Sequence, residues 1–333
     1  MRRAPAFWWT GSPTLAARLL QPAGAVYGAL TVRRMARAGL ALPVPVVCVG
    51  NLVAGGAGKT PTALALAGLL RDQGYRPAIL SRGYGRDLSR SRRGTVICVD
   101  PALHDVKTVG DEPLILATAA PTYVAVDRRR AAQQAMGDGA TLLILDDGLQ
   151  NPALAKTLSI AVVDGASGIG NGLCVPAGPL RAPVSQQWPI VHALCVIGEG
   201  QAGDGVAEMA VAQGLPVLRA RLRPDPAVVE HLKGAPLLGF AGIGRPEKFF
   251  ATLENCGLTL RGRRAFPDHH TFTSEQRDAL RTEATALGAQ LVTTAKDRVR
   301  LPPDFPATVL PVILELEKPD AMGVLLASRL PRV

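Results

Sequence analysis

The stretch Val46-Val-Cys-Val-Gly-Asn-Leu-Val-Ala-Gly-Gly-Ala-Gly-Lys-Thr-Pro61 predicts a β-strand, a glycine-rich turn and a helix. Its first four residues, 46–49, form a short and largely β-branched apolar run, as in a buried strand. The glycines then let the backbone turn tightly with its N–H groups pointing inward. An anion held there also lies at the positive end of the following helix. The sequence therefore predicts a phosphate-binding loop.

The start of the predicted helix supplies the side chains that a nucleoside triphosphate needs. Lys59 adds a point charge for the β- and γ-phosphates, and the hydroxyl of Thr60 can ligate Mg²⁺. Proline suits the first helical turn, where its missing N–H costs nothing. A glycine-rich turn without a ligand is the alternative, but a Lys-Thr pair at this position has little purely structural purpose. We assign ATP binding to Gly55, Gly56, Ala57, Gly58, Lys59, Thr60 and Pro61.

Composition and charge limit the class of protein. The chain has 333 residues, enough for two domains, and its 47% hydrophobic content with 4% aromatics fits an α/β protein. Five scattered cysteines without a C-x-x-C pair argue against a zinc site or a disulfide framework and for a reducing compartment. The net charge is +10, and such a surface favours an anionic partner. Six arginines and no acid occur in the first forty residues: Arg2, Arg3, Arg18, Arg33, Arg34 and Arg37.

Residues 1–40 are predicted to be a membrane-interfacial segment. The aromatic run Phe-Trp-Trp at 7–9 precedes leucines at roughly helical spacing and then the basic cluster. No uninterrupted apolar run reaches the ~20 residues that span a bilayer. Tryptophan at headgroup level and arginine toward anionic lipid would fit an amphipathic segment on the surface. The alternative is an N-terminal helix packed on the domain with solvated arginines.

A second motif, Thr141-Leu-Leu-Ile-Leu-Asp-Asp-Gly-Leu-Gln150, has four apolar residues followed by carboxylates. A buried parallel strand of this kind presents Asp146 next to the phosphate loop, where the carboxylate can hold Mg²⁺ directly or through water. Asp147 then faces the cleft. The alternative, a strand followed by an ordinary Asp-Gly turn, is weakened by the phosphate loop upstream.

Charged residues follow or open other predicted elements. The strand 77–81 delivers Arg82-Gly-Tyr-Gly-Arg86, and a strand ending at Val126 delivers Asp127-Arg-Arg-Arg130, both to the sheet edge where ligands bind. Residues 89–93 form a polar, basic loop. Asp111 and Glu112 open a helix, either as ordinary helix-terminal acids or as a base and a Mg²⁺ ligand.

Strands alternating with helices to about residue 215 predict an α/β protein with a P-loop NTPase-like, doubly wound and mostly parallel sheet, followed by a second, smaller α/β domain. Strands near 216–222 and 308–316 are expected to pair as the connection between the two. The expected division is an interfacial segment over 1–40, a P-loop kinase domain over 41–222, the smaller domain over 223–316 and a C-terminal helix over 317–333.

These motifs together resemble the tetraacyldisaccharide 4'-kinase family, the lipid A 4'-kinases of Gram-negative bacteria, over nearly the whole chain. The resemblance rests on the order and spacing of many motifs. They are Trp-Thr-Gly-Ser-Pro at 9–13, the phosphate loop, Ser-Arg-Gly-Tyr-Gly-Arg at 81–86, Gly-Asp-Glu-Pro at 110–113, Asp-Asp-Gly-Leu-Gln at 146–150, Asn-Gly at 171–172, Pro-Ala-Gly-Pro-Leu-Arg at 176–181, Phe-Pro-Asp-His-His at 266–270 and Thr-Thr-Ala-Lys-Asp at 293–297.

The resemblance implies transfer of the γ-phosphate of ATP to the 4'-hydroxyl of a tetraacylated glucosamine disaccharide 1-phosphate, giving lipid IVA. It places the enzyme peripherally at the cytoplasmic face of the inner membrane, with ATP and Mg²⁺ as cofactors and no nucleic acid or obligate protein partner. Asp111 would be the base and His269 its partner, with Thr60, Glu112 and Asp146 at the metal. The substrate side would comprise Arg82, Tyr84, Arg130, Asp147, Gln150 and Asn171.

The sequence departs from the family at Asn151, where histidine is usual, and at Ala182, where glutamate is common; neither position lies in the phosphate loop. A nucleotide-driven switch or metallochaperone remains an alternative, because the loop resembles the variant Lys-Gly-Gly-x-Gly-Lys-Thr, although Ala54 replaces its first lysine. His269 and His270 could imitate a metal-binding pair. A nucleic-acid-binding ATPase would need aromatic residues interleaved with the basic ones, and the chain has few.

Overall fold

The computed structural model describes residues 4–87, 94–244 and 246–331. The basic loop predicted at 89–93, two of the N-terminal arginines (Arg2 and Arg3) and Arg245 lie outside these ranges. Within them the strands are β1 (Val46–Asn51), β2 (Pro77–Ser81), β3 (Ile97–Cys98), β4 (Thr122–Val124), β5 (Leu142–Asp146), β6 (Leu158–Asp164), β7 (Ala193–Ile197), β8 (Val217–Pro224), β9 (Pro236–Ala241), β10 (Thr259–Ala265), β11 (Gln290–Thr293), β12 (Ala307–Val309) and β13 (Val312–Leu316).

Helices alternate with these strands through most of the chain. They are α1 (Leu15–Met35), α2 (Lys59–Asp72), α3 (Val106–Val109), α4 (Asp111–Leu116), α5 (Arg128–Gly137), α6 (Val184–Gln187), α7 (Gln201–Ala212), α8 (Pro226–Leu232), α9 (Pro246–Asn255), α10 (Ser274–Ala286), α11 (Ala295–Arg298) and α12 (Ala321–Arg329). Short 3-10 helices cover Ala6–Trp9 and Trp188–Ile190.

The larger sheet has the order β13-β8-β7-β6-β1-β5-β2-β4-β3 among the described residues. All its pairs are parallel except β13 with β8 and β3 with β4 at the two edges. β1 lies between β5 and β6, so the loop after β1 leaves the middle of the sheet. This is the P-loop NTPase-like arrangement that the alternating pattern predicted, and ligands bind at the carboxyl ends of such strands.

Apolar residues on both faces of β1 explain why this strand is central. Val47 and Val49 pack with Leu66 and Leu70 of α2 in one buried cluster, whereas Cys48 belongs to the cluster on the opposite face. A strand buried on both faces needs a continuous apolar run, which the sequence has here. The phosphate loop is therefore held between two packed elements.

The smaller sheet is parallel, with the order β10-β9-β11-β12 in the described part of the chain. The strand predicted near 308–316 is two strands, because β12 pairs with β11 in this sheet while β13 returns to pair antiparallel with β8. A buried leucine, Leu310, separates them. β10 was not predicted, since its side chains are largely exposed and basic. Thr273 caps α10 in a capping box that Gln276 completes.

The N-terminal helix α1 lies on the surface and touches the body through small residues. Its buried positions are Ala17, Gly24, Gly28 and Thr31, which share one face of the helix. A Cβ at Gly24 would stand 2.7 Å from the carbonyl oxygen of Cys174, so the helix approaches the 171–181 loop closely. No described helix is both long enough and apolar enough to span a bilayer.

Candidate active site

The phosphate loop is shaped by β1 and by the start of α2. Gly58 has φ 87° at the N-cap of α2, a left-handed conformation that glycine adopts without strain. The side chain of Asn51 donates to the carbonyl of Gly55 (3.2 Å) and accepts from the N–H of Val53 (3.1 Å). Gly56 has no neighbouring atom where a Cβ would stand, so the loop is open on this side. The arrangement fits the binding of an oligophosphate.

Lys59 lies at the centre of the predicted nucleotide site. Its Nζ donates to the carbonyl oxygen of Gly55 (3.2 Å) and lies 3.8 Å from a carboxylate oxygen of Asp147. Thr60 is buried at the first turn of α2, and Pro61 follows as the third helical residue. The lysine is thus folded back onto the loop and held beside the end of β5.

The two carboxylates after β5 have opposite environments. Asp146 is buried, accepts one hydrogen bond from the hydroxyl of Ser81 (3.0 Å) and leaves Oδ1 without a partner in the described structure. Burial, followed by the charges of Glu112 and Asp147, raises the pKa of Asp146 to about 7. A buried carboxylate oxygen without a hydrogen-bond partner is suited to a metal ion, which binds the ionised form of the group.

Asp147 is instead fully paired. Burial alone would raise the pKa of its carboxyl, but Lys59 and Arg181 outweigh burial and lower it. Arg181 binds both carboxylate oxygens, at 2.7 and 2.8 Å, in a bidentate ion pair. The backbone of Asp147 has φ 54°, which is uncommon for a residue with a side chain and places the carboxylate toward the loop after β1. Arg181 ends the Pro-Ala-Gly-Pro-Leu-Arg motif at 176–181, and the sequence predicted no role for it.

Asp111 and His269 are in contact although 158 residues separate them. Nδ1 of His269 lies 2.9 Å from Oδ2 of Asp111, and Arg300 donates to the same oxygen. Burial alone would raise the pKa of Asp111, but the hydrogen bonds from His269 and Arg300 outweigh burial and hold the pKa well below its ordinary value. The backbone of His269 has φ 58°, a conformation that costs energy outside glycine and occurs at functional sites.

Glu112, the neighbour of Asp111, faces α11 in the smaller sheet unit. Nζ of Lys296 stands 3.9 Å from its carboxylate. The charge of Glu112 is close enough to raise the pKa of Asp146, which places both carboxylates in one electrostatic environment. Lys296 lies in the Thr-Thr-Ala-Lys-Asp motif, which carried no residue assignment. The contact is visible only once the fold brings α4 and α11 together.

Two other predicted substrate residues, Asn171 and Gln150, form hydrogen bonds within the protein. The amide of Asn171 is spent on backbone: it donates to the carbonyls of Phe7 (3.1 Å) and Ala177 (3.0 Å) and accepts from the N–H of Leu173 (3.1 Å). Gln150 is buried and donates to the carbonyl of Asn51 (2.7 Å). Asn171 therefore supports the long loop, and its contact with the substrate stays a prediction.

The arginines at the sheet edge differ in how far their side chains are exposed. Arg82 and Tyr84 are exposed beyond β2. Arg130 is also exposed and donates to the carbonyl of Gly94 (3.2 Å), whereas the buried Arg128 donates to the carbonyl of Asp146 (3.1 Å). Arg128, which was not singled out from the sequence, is thus the arginine that supports the end of β5. Its position as the first residue of α5 after a capping Asp127 was the signal available.

The aromatic run at the N-terminus is docked against this part of the molecule. The indole N–H of Trp8 donates to the carbonyl of Pro176 (2.9 Å), and Trp9 packs against the core beside Gly55 of the phosphate loop. The sequence interpretation placed the tryptophans at headgroup level; the structure uses them to pack the segment onto the long loop. Exposed apolar residues of this region lie instead on α1: Leu15, Leu19, Leu20, Val26, Tyr27 and Leu30.

A P-loop at the centre of a parallel sheet, with carboxylates after β5 and an Asp-His pair at the same site, defines a nucleotide-dependent phosphotransferase. The sequence matches the family model described as tetraacyldisaccharide-1-P 4'-kinase over residues 16–330. The chain therefore belongs to the tetraacyldisaccharide 4'-kinase family.

Similar proteins support this placement along the whole chain. A tetraacyldisaccharide 4'-kinase of Methylobacterium nodulans is 56% identical over 328 residues, covering 98% of this chain and 95% of the relative. One of Bradyrhizobium sp. (strain BTAi1) is 48% identical over 335 residues, with coverage of 98% and 95%. A crystal structure of "apo" form LpxK from Aquifex aeolicus in complex with ATP has a TM-score of 0.75 at 25% identity, covering 95% of this chain and 100% of that one.

The rival classes find no support in the site. Among the described residues, no group of three or more His, Cys, Asp or Glu side chains is placed to hold a metal ion by itself. Nε2 of His270 is bonded to Oε1 of Gln276 (2.8 Å), and its ring stacks on Phe266, so it does not pair with His269 as a metal site would require. The family match does not favour a switch or metallochaperone, and the predicted activity class, an ATP-dependent kinase of lipid A biosynthesis, is confirmed.

Proposed function

We propose that this chain transfers the γ-phosphate of ATP to the 4'-hydroxyl of a tetraacylated glucosamine disaccharide 1-phosphate, giving lipid IVA and ADP. The substrate comes from the name that the relatives carry. The observation that carries the proposal is the contact between Nδ1 of His269 and Oδ2 of Asp111 (2.9 Å). It lies at the edge of the sheet where α2 begins with Lys59 of the nucleotide site. An Asp-His pair at this edge of the sheet supports a proton acceptor for the sugar hydroxyl.

In the proposed reaction the 4'-oxygen attacks the γ-phosphorus as the bond from phosphorus to the β–γ bridging oxygen breaks. The hydroxyl proton passes to Asp111, and ADP leaves. His269 holds and polarises the carboxylate through Nδ1. Phosphoryl transfer of this kind asks mainly for positioning and charge neutralisation, so an ionised aspartate with a low pKa is a sufficient acceptor. Lys59 neutralises charge on the transferred group.

A magnesium ion fits the donor set that the sequence predicted. Oδ1 of Asp146 is buried without a hydrogen-bond partner in the described structure, and a hard cation with oxygen ligands would satisfy it. Thr60 and Glu112 would hold the ion together with Asp146. Bound there, Mg²⁺ would supply charge neutralisation for the β- and γ-phosphates. Asp146 would then remain ionised, because a bound cation favours the carboxylate form.

The disaccharide would lie beyond the carboxyl ends of β2 and β5. Arg82 and Tyr84 are exposed there. The ion pair of Arg181 with Asp147 stands at the same edge and can exchange partners with an anionic sugar phosphate. Gln150 supports that arginine, with its Oε1 3.4 Å from Nη1.

The proposed substrate carries four acyl chains, so the enzyme must work at a membrane surface. We propose that α1 is the surface that binds it, peripherally and at the cytoplasmic face of the inner membrane. Leu15 and Leu19 are each 75% exposed and Leu30 is 63% exposed, while the opposite side of the helix is docked through small residues. Arg33 and Arg34, in the last turn, are placed to meet anionic headgroups.

The test is a kinase assay with purified protein, radiolabelled ATP and the tetraacyldisaccharide 1-phosphate in mixed micelles. We expect label in the lipid only when Mg²⁺ is present. A nucleic acid or the solvent as sole phosphate acceptor would contradict the proposal. In cells, depletion of the protein should cause the unphosphorylated disaccharide to accumulate, as measured by mass spectrometry of lipid precursors.

A further inference from the structure

Arg300, which follows α11 in the smaller sheet unit, contacts both residues of the Asp-His pair. Its side chain is 3% exposed. One guanidinium nitrogen, Nη1, donates to the carbonyl of Gly242 (3.1 Å) and to Oδ1 of Asp297 (3.3 Å). The other, Nη2, donates to Oδ2 of Asp111 and lies 3.1 Å from Nδ1 of His269. One buried arginine therefore links Gly242 and Asp297 of the smaller unit to the Asp-His pair.

The segment that holds Arg300 is itself fixed by buried hydrogen bonds. Asp297 is fully buried, accepts from the backbone N–H of Gly242 (3.0 Å) and from the hydroxyl of Thr294 (2.7 Å). Thr294 in turn caps α11 through the N–H of Asp297 (3.1 Å). The guanidinium is thus anchored at one end before it reaches Asp111, and its position is set by the smaller unit.

This anchoring sets the orientation of the carboxylate of Asp111. Oδ2 faces two partners, His269 and Arg300, which together can use both of its lone pairs. Oδ1 accepts the backbone N–H of Glu112 (3.1 Å), which leaves it one further lone pair for an incoming hydroxyl. Without Arg300, the carboxylate could rotate about its Cβ–Cγ bond and exchange the two oxygens.

We infer that Arg300 is a positioning residue for the phosphoryl transfer: it fixes the carboxylate of Asp111 and the adjoining ring of His269 when the smaller unit is docked. The inference rests on the proposed function. Arg300 touches neither ATP nor the sugar in this role; it acts through Asp111. The planar fork of arginine suits the task because it can hold the anchor with one nitrogen and the base with the other, which the single ammonium of lysine cannot do equally well.

The first test compares Arg300→Met, Arg300→Lys and Arg298→Met in the kinase assay with the full chain. Arg298 is the matched control, because it lies two residues away and donates to the carbonyls of Pro302, Pro303 and Phe305 instead of to the site. We expect Arg300→Met to lower kcat about 10²-fold with little change in the KM for ATP, since misplacement of a catalytic group acts on the chemical step. Arg300→Lys should recover part of the loss, and Arg298→Met should affect thermal stability rather than kcat.

The second test places Arg300→Met in the Asp111→Asn background. If Arg300 acts through Asp111, the double variant should lose little more kcat than Asp111→Asn alone. Additive losses, normal kcat in folded Arg300→Met, or equal kcat losses in the Arg298 and Arg300 variants would each overturn the inference. If Arg300→Met does not fold, the same comparison is made with Arg300→Lys. An inactive wild-type protein would contradict the proposed function, whereas an active wild type with an insensitive Arg300 would contradict this inference alone.

Discussion

At the scale of single residues, the adjacent carboxylates of Asp146 and Asp147 differ because of their partners. Asp147 has two cations within 4 Å, while Asp146 has one hydroxyl and an unpaired oxygen. The sequence could predict that both stand at the end of β5, because a buried apolar run delivers them there. It could not predict which of the two would be paired, because Arg181 reaches Asp147 from a loop 34 residues further along the chain.

Asp146→Asn should stabilise the metal-free protein above neutral pH while removing activity. The pKa of Asp146 is raised to about 7, above its value in the unfolded chain, so folding favours the protonated form. The unfolded state therefore binds fewer protons between pH 4 and 7, and stability from this group falls as pH rises through that window. The amide removes a penalty on the order of 4 kcal/mol at pH 8, from a rise of the pKa from 3.8 to about 7. Thermal unfolding in a chelator should show a higher Tm for the variant at pH 8 and a much smaller difference at pH 4; a lower Tm at pH 8 would contradict the raised pKa.

Lys59→Ala and Thr60→Ala should each lower kcat by at least ~10²-fold, because charge on the transferred phosphoryl group is then not neutralised. The assay is steady-state phosphorylation of the lipid with saturating Mg²⁺. Lys233→Ala is the control, since this lysine is exposed and pairs only with Glu230 in the contacts of the described structure. Normal turnover in either P-loop variant would refute the ATP-site assignment.

Asp111→Ala should lower kcat far more than it changes the KM for ATP, because a proton acceptor acts in the chemical step. His269→Ala should lose less, since the carboxylate remains. The two residues share a hydrogen bond of 2.9 Å, so the double variant should fall well short of the sum of the two losses in free energy. Independent, additive effects would exclude a working pair, and a main effect on ATP affinity would make Asp111 a metal or helix-terminal residue.

At the scale of elements, apolar runs predicted the central strands well, since a strand buried on both faces must be apolar throughout. β10 escaped prediction because its exposed face carries arginines, and its parallel partner β9 lies about one helix away in sequence. The site was predictable where a motif lies at the end of such a strand. Arg300 was not predictable, because its contact with Asp111 spans 189 residues and leaves no local pattern, and the same reason holds for Lys296 beside Glu112.

Two glycines inside helices provide a prediction about how α1 is docked. A Cβ at Gly24 of α1 would stand 2.7 Å from the carbonyl oxygen of Cys174, whereas a Cβ at Gly68 of α2 would meet nothing within 4 Å. Gly68→Ala should therefore raise stability by about 0.5–1 kcal/mol through helix propensity. Gly24→Ala should lower it by about 1–3 kcal/mol, because backbone must shift. Urea unfolding of both variants measures the difference, and equal stabilisation would mean that α1 is not held against the loop.

At the scale of the whole molecule, the nucleotide site, the long loop and α1 form one continuous structure. The loop over 171–181 carries Arg181 to Asp147, receives the aromatic run at 7–9 through Trp8 and supports Gly24 of α1. Deleting the first thirty residues would therefore disturb the site as well as the proposed membrane surface. Point substitutions on the exposed face of α1 separate the two effects, because those side chains do not pack on the body.

The combined variant Leu15→Gln, Leu19→Gln and Leu30→Gln should weaken binding to vesicles that contain anionic lipid. Each leucine is largely exposed, and its burial in the interface would contribute about 1.5–3 kcal/mol, so losing several should lower membrane affinity at least ~10²-fold even if burial is incomplete. Leu103→Gln is the matched control, being 80% exposed outside α1. Arg33→Gln with Arg34→Gln should reduce the dependence on anionic lipid, by on the order of 1 kcal/mol per arginine.

Liposome co-sedimentation at low and high salt measures membrane binding, and ATP binding in solution checks that each variant retains its site. We expect high salt to release much of the wild-type protein, because a peripheral helix holds the membrane partly by charge. Kinase activity on lipid in vesicles should fall with binding in the leucine variant, while activity on substrate dispersed in detergent should be retained. Equal co-sedimentation of the wild type and the leucine variant would mean that α1 is a packed helix with solvated side chains. If binding does not depend on anionic lipid, the arginines of α1 do not have the proposed role.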